Sequence, residues 1–144
     1  MTSFTSISTT ADPESGIDLY VGIGGAPEAV LAAAGIKCLG GDMQCQMWPR
    51  DEQERQKLID EGHRDDLGRI FFADDLANGQ NIIFVATGIS DSALLRGVKA
   101  QGSNAITHSV LMRAKSKTVR FIKAWHDLQT KTIRLRSDNR EHRI

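Results

Sequence analysis

A glycine turn followed by one carboxylate is the feature of this sequence that most directly suggests chemistry. The apolar run Ile17–Ile23 overlaps the glycine turn Gly22–Gly25. Pro27 and Glu28 follow in a segment with the pattern of a helix start. Free backbone N–H groups and the helix dipole at such a turn both favour a phosphate oxygen. Glu28 would repel that phosphate unless a cation lay between them, so the pattern predicts a metal-assisted phosphate site.

The same residues also have a purely structural interpretation, a tight turn with Glu28 as an ordinary first-turn acid. The functional interpretation places a phosphate oxygen in a backbone nest at Gly24 and Gly25, and a divalent metal on Glu28. The segment lacks the third glycine of a dinucleotide-binding fingerprint and the Gly-Lys-Ser/Thr of a P-loop. The motif alone leaves both interpretations open.

A second polar turn follows another predicted strand, within Ala86–Gly97. Ser90 or Asp91 is expected to cap a helix there. Arg96 is suited to bind a phosphate or a carboxylate, although an ion pair on a helix face is the commoner use of such an arginine. The four histidines lack the i, i+4 spacing of zinc ligands and are expected to be surface or strand residues. No Gly-x-Ser-x-Gly elbow is found.

The elements that would position these residues alternate between strands and helices, which favours an α/β fold with a mixed sheet covered by helices. Ile17–Ile23 has the composition of a strand buried on both faces, as in parallel sheets. Asp51 is predicted to cap a polar helix that Gly62 ends. The other predicted elements are a helix at 29–39 that Gly40 and Gly41 end, strands at 43–47, 69–72, 82–87, 105–114 and 118–126, a helical turn at 74–79, and an edge strand within 130–136. The strands at 105–114 and 118–126 are expected to form a hairpin.

Length and composition set the broad class of protein. A chain of 144 residues is expected to form one domain, with residues 1–15 weakly ordered and residues 16–144 forming the α/β domain. Lys+Arg and Asp+Glu are both 18, and this balance argues against a nucleic-acid partner. No apolar run approaches the roughly 20 residues of a membrane span. Cys38 and Cys45 are too few for a disulfide framework, so a reducing compartment is expected. Cys38 lies among apolar helix residues and is expected in the core.

Motifs along most of the chain resemble those of the class II fructose-1,6-bisphosphatase family, the GlpX type, and occur in the same order. The glycine turn lies in the first of them, Ser15–Glu28, and Leu31–Ala34 and Lys37–Gly41 follow. The resemblance runs from about Asp12 to about Leu135. Its further motifs are Trp48–Asp51, Asp74–Leu76, Val85–Gly88, Leu94–Val98, Thr107–Arg113 and Thr118–Ile122.

This resemblance implies a function and a fold. Family members are cytoplasmic, metal-dependent phosphatases of carbohydrate and glycerol metabolism. With manganese or magnesium they remove the 1-phosphate of fructose 1,6-bisphosphate in gluconeogenesis, and some act on sedoheptulose 1,7-bisphosphate. The family implies Glu28 as a metal ligand and Gly25, with Gly24 beside it, at the substrate. It also implies the C-terminal portion of the sugar-phosphatase (lithium-sensitive phosphatase) fold.

The chain departs from the family in length, because typical members are more than twice as long. The resemblance covers their C-terminal part, and the other metal carboxylates lie in the N-terminal part. Two-metal hydrolysis needs several carboxylates, so the chain is expected to be incomplete for catalysis alone and no catalytic residue is assigned. Expected partners are a sugar bisphosphate and either the missing N-terminal half or further copies of the chain. The alternative is a non-catalytic phosphosugar-binding or assembly module.

Overall fold

A helix follows the glycine turn directly. The computed structural model describes residues 16, 18–130, 134–137 and 140–143. Helix α1 spans Ala26–Leu39, with Gly25 as its N-cap and Pro27 in its first turn, where the missing N–H of proline removes no helical hydrogen bond. The helix ends at Gly40, whose φ of +87° turns the chain so that its N–H bonds back to the last turn. This helix and its glycine stop confirm the sequence prediction.

Helix α2 (Glu52–Asp60) is held at its N-terminus by its own neighbours in sequence. The Asp51 carboxylate accepts a hydrogen bond from the N–H of Glu54 at 2.8 Å. The Glu54 carboxylate in turn accepts bonds from the backbone N–H and the guanidinium of Arg50, and these bonds lower the pKa of Glu54. Gly62 follows the last turn with a φ of +94°. Both predicted helix boundaries are therefore confirmed.

Replacing Asp51 with alanine is expected to lower the free energy of unfolding by about 1 kcal/mol, because the Glu54 N–H loses its acceptor. Urea denaturation followed by circular dichroism measures the change. Asp51→Ser is the matched control, because serine also accepts at an N-cap and should retain most of the stability. Equal losses in the two variants would contradict the capping role.

Two short strands form the first sheet. Strand β1 (Gln44–Gln46) pairs antiparallel with β2 (Ile70–Phe72), and Cys45 lies opposite Phe71. A 3-10 turn at Arg64–Asp66 precedes β2. A single helical turn, α3 (Ala73–Leu76), follows it directly.

The second sheet is built around one long strand. Strand β5 (Asn104–Arg113) pairs with β3 (Ile83–Thr87), β4 (Lys99–Gln101) and β6 (Thr118–Asp127). Strands β5 and β6 form the predicted hairpin, and a φ of +51° at Lys117 lies in its turn. A third, separate pair consists of β7 (Arg134–Ser137) and β8 (Arg140–Arg143). Every pairing whose register is defined is antiparallel.

The chain divides into two compact units. The first unit comprises Met1–Phe84 and Met112–Thr118, and the second comprises Val85–Leu111 and Val119–Ile144. In the first unit, Ala33 and Ile36 of α1 and Ala73 of α3 are buried together. Met43, Leu76 and Ala77 pack against them.

Lys37 joins the last turn of α1 to the segment that contains α3. Its ammonium donates to the Asp74 carboxylate, to the Ala77 carbonyl at 2.7 Å and to the Gly79 carbonyl at 3.0 Å. The Lys37 side chain is only 11% exposed, so these three acceptors satisfy a largely buried charge. Two of the motifs quoted above, Lys37–Gly41 and Asp74–Leu76, thus meet in one contact.

The mixed α/β class is confirmed, but one predicted strand is wrong. Residues 18–23 form no regular structure, and Leu19, Val21 and Ile23 are 77%, 83% and 74% exposed. A strand needs a neighbour to take its backbone hydrogen bonds, and no described strand pairs with these residues. The composition of this run suggested a strand buried on both faces. Burial also requires a neighbouring strand, and composition does not show whether one is present.

Three expectations fall wholly or partly outside the described residues. These are the weakly ordered segment at 1–15, the first residue of the apolar run at position 17, and residues 131–133 of the edge strand predicted within 130–136. Strand β7 begins just beyond the last of these and pairs with β8. The assignment of residues 16–144 to one domain stays a prediction.

Candidate functional site

Glu28 lies at the N-terminus of α1, in the first turn, and its side chain is exposed. The carboxylate folds back over Gly25, and a β-carbon at position 25 would collide with Glu28 Oε2. This oxygen is the far end of a flexible, exposed side chain, so the contact places the carboxylate beside the Gly25 backbone without itself requiring glycine there. An acid here is also favoured by the positive end of the helix dipole. The structure thus brings together Gly25 and Glu28, two of the three predicted site residues.

The backbone beside Glu28 offers a limited set of anion donors. Gly25 is extended, with φ −75° and ψ 164°, and neither it nor Gly24 has a positive φ. A nest of alternating right- and left-handed residues is therefore not formed at these glycines. The N–H of Ala29 bonds to the Gly25 carbonyl, and Pro27 has no N–H. Among the described residues, the N–H groups of Gly25, Ala26 and Glu28 have no acceptor and are the donors left at this helix start.

A divalent cation needs more ligands than Glu28 provides. Manganese and magnesium favour several oxygen ligands, of which carboxylates are the strongest. Among the described residues no group of three His, Cys, Asp or Glu side chains is close enough to hold a metal ion. The chemistry of Glu28 suits one ligand position, but the described residues do not by themselves complete a metal site.

The second polar turn, residues 88–98, is a loop and not the predicted helix. Asp91 does not cap a helix, because its carboxylate accepts the N–H of Gly97 at 2.9 Å, across the loop. The Ser92 hydroxyl bonds to both the N–H and the carbonyl of Leu95. A side chain at Gly97 would place its β-carbon 2.8 Å from Ser90 Cα, so glycine lets the two halves of the loop approach.

Arg96 also differs from the expected ion pair on a helix face. It lies in this loop, and its backbone N–H donates to Nδ1 of His108 at 3.1 Å. Its guanidinium makes no ion pair with any residue that the structure describes. Next to the loop, the N–H of Gly88 bonds to the His108 carbonyl at 3.0 Å and the hydroxyls of Thr87 and Ser109 lie 2.8 Å apart.

Sequence reasoning treated the histidines as surface or strand residues and missed the position of His108. Its ring stacks on Phe121, with centroids 5.7 Å apart. His63 Nδ1 lies 3.0 Å from Asp66 Oδ2, and His126 Nε2 lies 2.9 Å from the Thr107 hydroxyl. The two-residue alternation of strands places His108 on one face of β5 with Ile106, but the charged residues beside it come from other elements and give no local signal.

Cys38 is fully buried in α1, as predicted, and burial raises the pKa of its thiol. Burial, with a smaller contribution from Asp75, also raises the pKa of Cys45. Both thiols are therefore protonated at neutral pH and weakly nucleophilic. Neither is bonded in a disulfide.

Comparison with known proteins places the chain in a family. Residues 4–126 match the family model described as bacterial fructose-1,6-bisphosphatase, glpX-encoded. The chain belongs to this family. The resemblance drawn from the motifs, which runs from about Asp12 to about Leu135, is therefore confirmed over all but its last few residues.

Curated relatives give the same family and a measure of its extent. The fructose-1,6-bisphosphatase class 2 of Haemophilus influenzae is 40% identical over 127 residues, which are 81% of this chain and 38% of that protein. The fructose-1,6-bisphosphatase 1 class 2 of Escherichia coli is 36% identical over 136 residues, 85% of this chain and 40% of that protein. The chain thus spans about two fifths of the length of these relatives.

In the part of the chain that the structure describes, no helix is both long and apolar enough to cross a bilayer.

Proposed function

We propose that this chain is part of a metal-dependent phosphatase that hydrolyses the 1-phosphate of fructose 1,6-bisphosphate. Water would displace the sugar alkoxide from phosphorus, so that inorganic phosphate and a sugar monophosphate are released. Sedoheptulose 1,7-bisphosphate is a second proposed substrate. Membership of the glpX-encoded fructose-1,6-bisphosphatase family is the observation that carries the proposal.

Within this activity, Glu28 is proposed to supply one oxygen ligand to a manganese or magnesium ion. Gly25 is proposed to lie against substrate, with Gly24 next to it. Two features support this assignment: the carboxylate is exposed, and it folds over a glycine at the start of a helix, where the N–H groups of Ala26 and Glu28 itself are available. A bound cation supplies charge neutralisation for the phosphoryl group.

The rest of the metal site is proposed to come from the part of the enzyme that this chain does not match. One carboxylate cannot hold two ions in line with an attacking water. The curated relatives are much longer than the matched region, which is consistent with ligands from elsewhere in such an enzyme. On this proposal the chain forms the C-terminal portion of a sugar-phosphatase fold.

A complementation assay tests the proposed function. The chain is fused to the unmatched part of the Escherichia coli relative, and phosphate release from fructose 1,6-bisphosphate is measured with manganese. We expect turnover by the fusion that is at least about 100-fold above that of either part alone, because the metal site needs ligands from both parts. A folded, manganese-binding fusion without phosphate release would contradict the proposal.

The isolated chain provides the second arm of this assay. We expect it to show no metal-dependent turnover, because the described residues do not complete a metal site. Calorimetry with fructose 1,6-bisphosphate then separates the alternative function. Sugar-phosphate binding by the fusion that is equally tight with and without manganese, together with no release of phosphate, would favour a non-catalytic binding module over the proposed enzyme.

A further inference from the structure

A cavity of about 430 Å³ lies in the second unit and is lined mainly by basic side chains. Arg96, Lys99 and Lys123 contribute three cations to it, and His108 and Ile106 complete the lining. A second cavity beside it shares Arg96, Lys99 and His108. The two cavities share these three residues and are together called the basic hollow below; the sequence-based predictions did not include it.

The strand register explains why these side chains converge. Lys99 of β4 lies directly opposite Ile106 of β5, so both project from the same face of the sheet. His108 is two residues further along β5 and therefore shares that face. Its stacking on Phe121 places this residue of β6 on the face as well, and Lys123 follows by the same alternation.

Arg96 and His108 are held in place by a backbone contact. Because a backbone N–H can only donate, Nδ1 of His108 accepts the bond from Arg96 and the neutral ring carries its proton on Nε2. His108 thus lines the cavity as a hydrogen-bond donor. Stacking on Phe121 further fixes the His108 ring. The Lys123 ammonium lies 4.7 Å from the centre of the Trp125 ring, and this cation–π contact positions the lysine.

The described part of the chain offsets the charge of this hollow only in part, through the single carboxylate of Asp91 in the second cavity. Arg96, Lys99 and Lys123 make no ion pair with any described residue. Asp91, which lines the second cavity, directs a carboxylate oxygen to the N–H of Gly97. Three like charges around one cavity repel each other, and a bound anion would relieve that repulsion.

We propose that this basic hollow binds a phosphate dianion, either inorganic phosphate or the phosphate group of a small monoester. Three cations and one neutral N–H donor match an oxyanion that carries two charges and several acceptor oxygens. Arginine adds paired donors in a plane, which suit adjacent phosphate oxygens. The site rests on these contacts and stands independently of hydrolysis at Glu28.

Titration of the intact chain with inorganic phosphate tests the site. Nuclear magnetic resonance at low ionic strength would follow His108 and the amides of Arg96 and Lys99, with sodium chloride titrated separately for ionic strength. We expect saturable shifts with phosphate and none with chloride. Arg96→Gln and Lys99→Gln should each weaken binding about thirtyfold, the effect of removing one unit charge about 4 Å from a dianion in water.

Matched controls distinguish the site from general surface charge. Arg120→Gln removes an arginine from the other face of β6, and Lys115→Gln removes a lysine from the hairpin turn; neither should change phosphate affinity. All four residues are exposed, so the variants should keep the thermal unfolding midpoint of the parent. Shifts that do not saturate, or controls that weaken binding as much as Arg96→Gln, would overturn the proposal.

A second titration identifies the source of the phosphate group. Fructose 6-phosphate that binds more tightly than inorganic phosphate would assign the hollow to a phosphate monoester. Tighter binding of inorganic phosphate would assign it to the free ion. Failure of both ligands to bind would overturn the site, while phosphate release by the fusion described above would be unaffected.

Discussion

Glu28→Gln is expected to lower manganese-dependent phosphate release by the fusion by about 100-fold or more. Loss of groups that merely orient a metal ligand costs roughly 10- to 100-fold, and loss of a ligand itself should reach or exceed the upper end. Glutamine keeps the size of the side chain and its fit over Gly25, but it removes the negative charge that attracts a hard cation. The initial rate over a range of manganese concentrations measures the effect.

Glu52→Gln is the matched control for this change. Glu52, like Glu28, is an exposed acid in the first turn of a helix, so both substitutions alter the helix dipole interaction alike. The control should retain the parent rate. If Glu28→Gln also retained the rate and the manganese dependence of the fusion, the metal-ligand role of Glu28 would be wrong.

Lys37→Met is expected to lower the free energy of unfolding of the chain by about 2 to 3 kcal/mol. Hydrogen bonds to charged groups contribute roughly 1.5 to 3 kcal/mol each, and the ammonium makes three. The estimate is below their sum because Asp74 is exposed and regains water. Methionine preserves most of the volume, so the change reports mainly the lost polar contacts. Urea denaturation gives the difference.

Lys57→Met separates this effect from general loss of a lysine. Lys57 lies in a helix, as Lys37 does, but its side chain is 74% exposed and its ammonium lies 3.8 Å from the Glu61 carboxylate. Such surface pairs are worth about 0 to 1 kcal/mol, so this variant should stay close to the parent. Equal destabilisation of the two variants would mean that the bonds of Lys37 to the α3 segment add nothing to stability.

The features predicted best from the sequence are those that depend on residues close together in the chain. Asp51 caps α2 through the N–H of Glu54, three residues away, and Gly62 ends the same helix by adopting a positive φ. The hairpin between β5 and β6 is likewise set by a short turn. In the candidate site, the first-turn position of Glu28 followed from Pro27 and the preceding glycines for the same reason.

Other features depended on contacts between distant residues, and there local pattern was insufficient. The apolar run at 18–23 has strand composition, yet without a pairing neighbour among the described residues it forms no strand. Residues 88–98 include helix-capping residue types, but they form a loop instead of a helix. The hydrogen bond from the Gly97 N–H to the Asp91 carboxylate closes this loop. In both cases a tertiary contact, or its absence among these residues, outweighs propensity.

The sequence by itself determined the family, the caps of α2 and the glycine turn that carries Glu28, because each depends on neighbouring residues. Only the tertiary structure decided that Lys37 reaches the α3 segment. It also decided the basic hollow, where cross-strand register places Lys99 and Lys123 on one face. Register and side-chain packing join residues far apart in sequence, and no local pattern encodes that pairing.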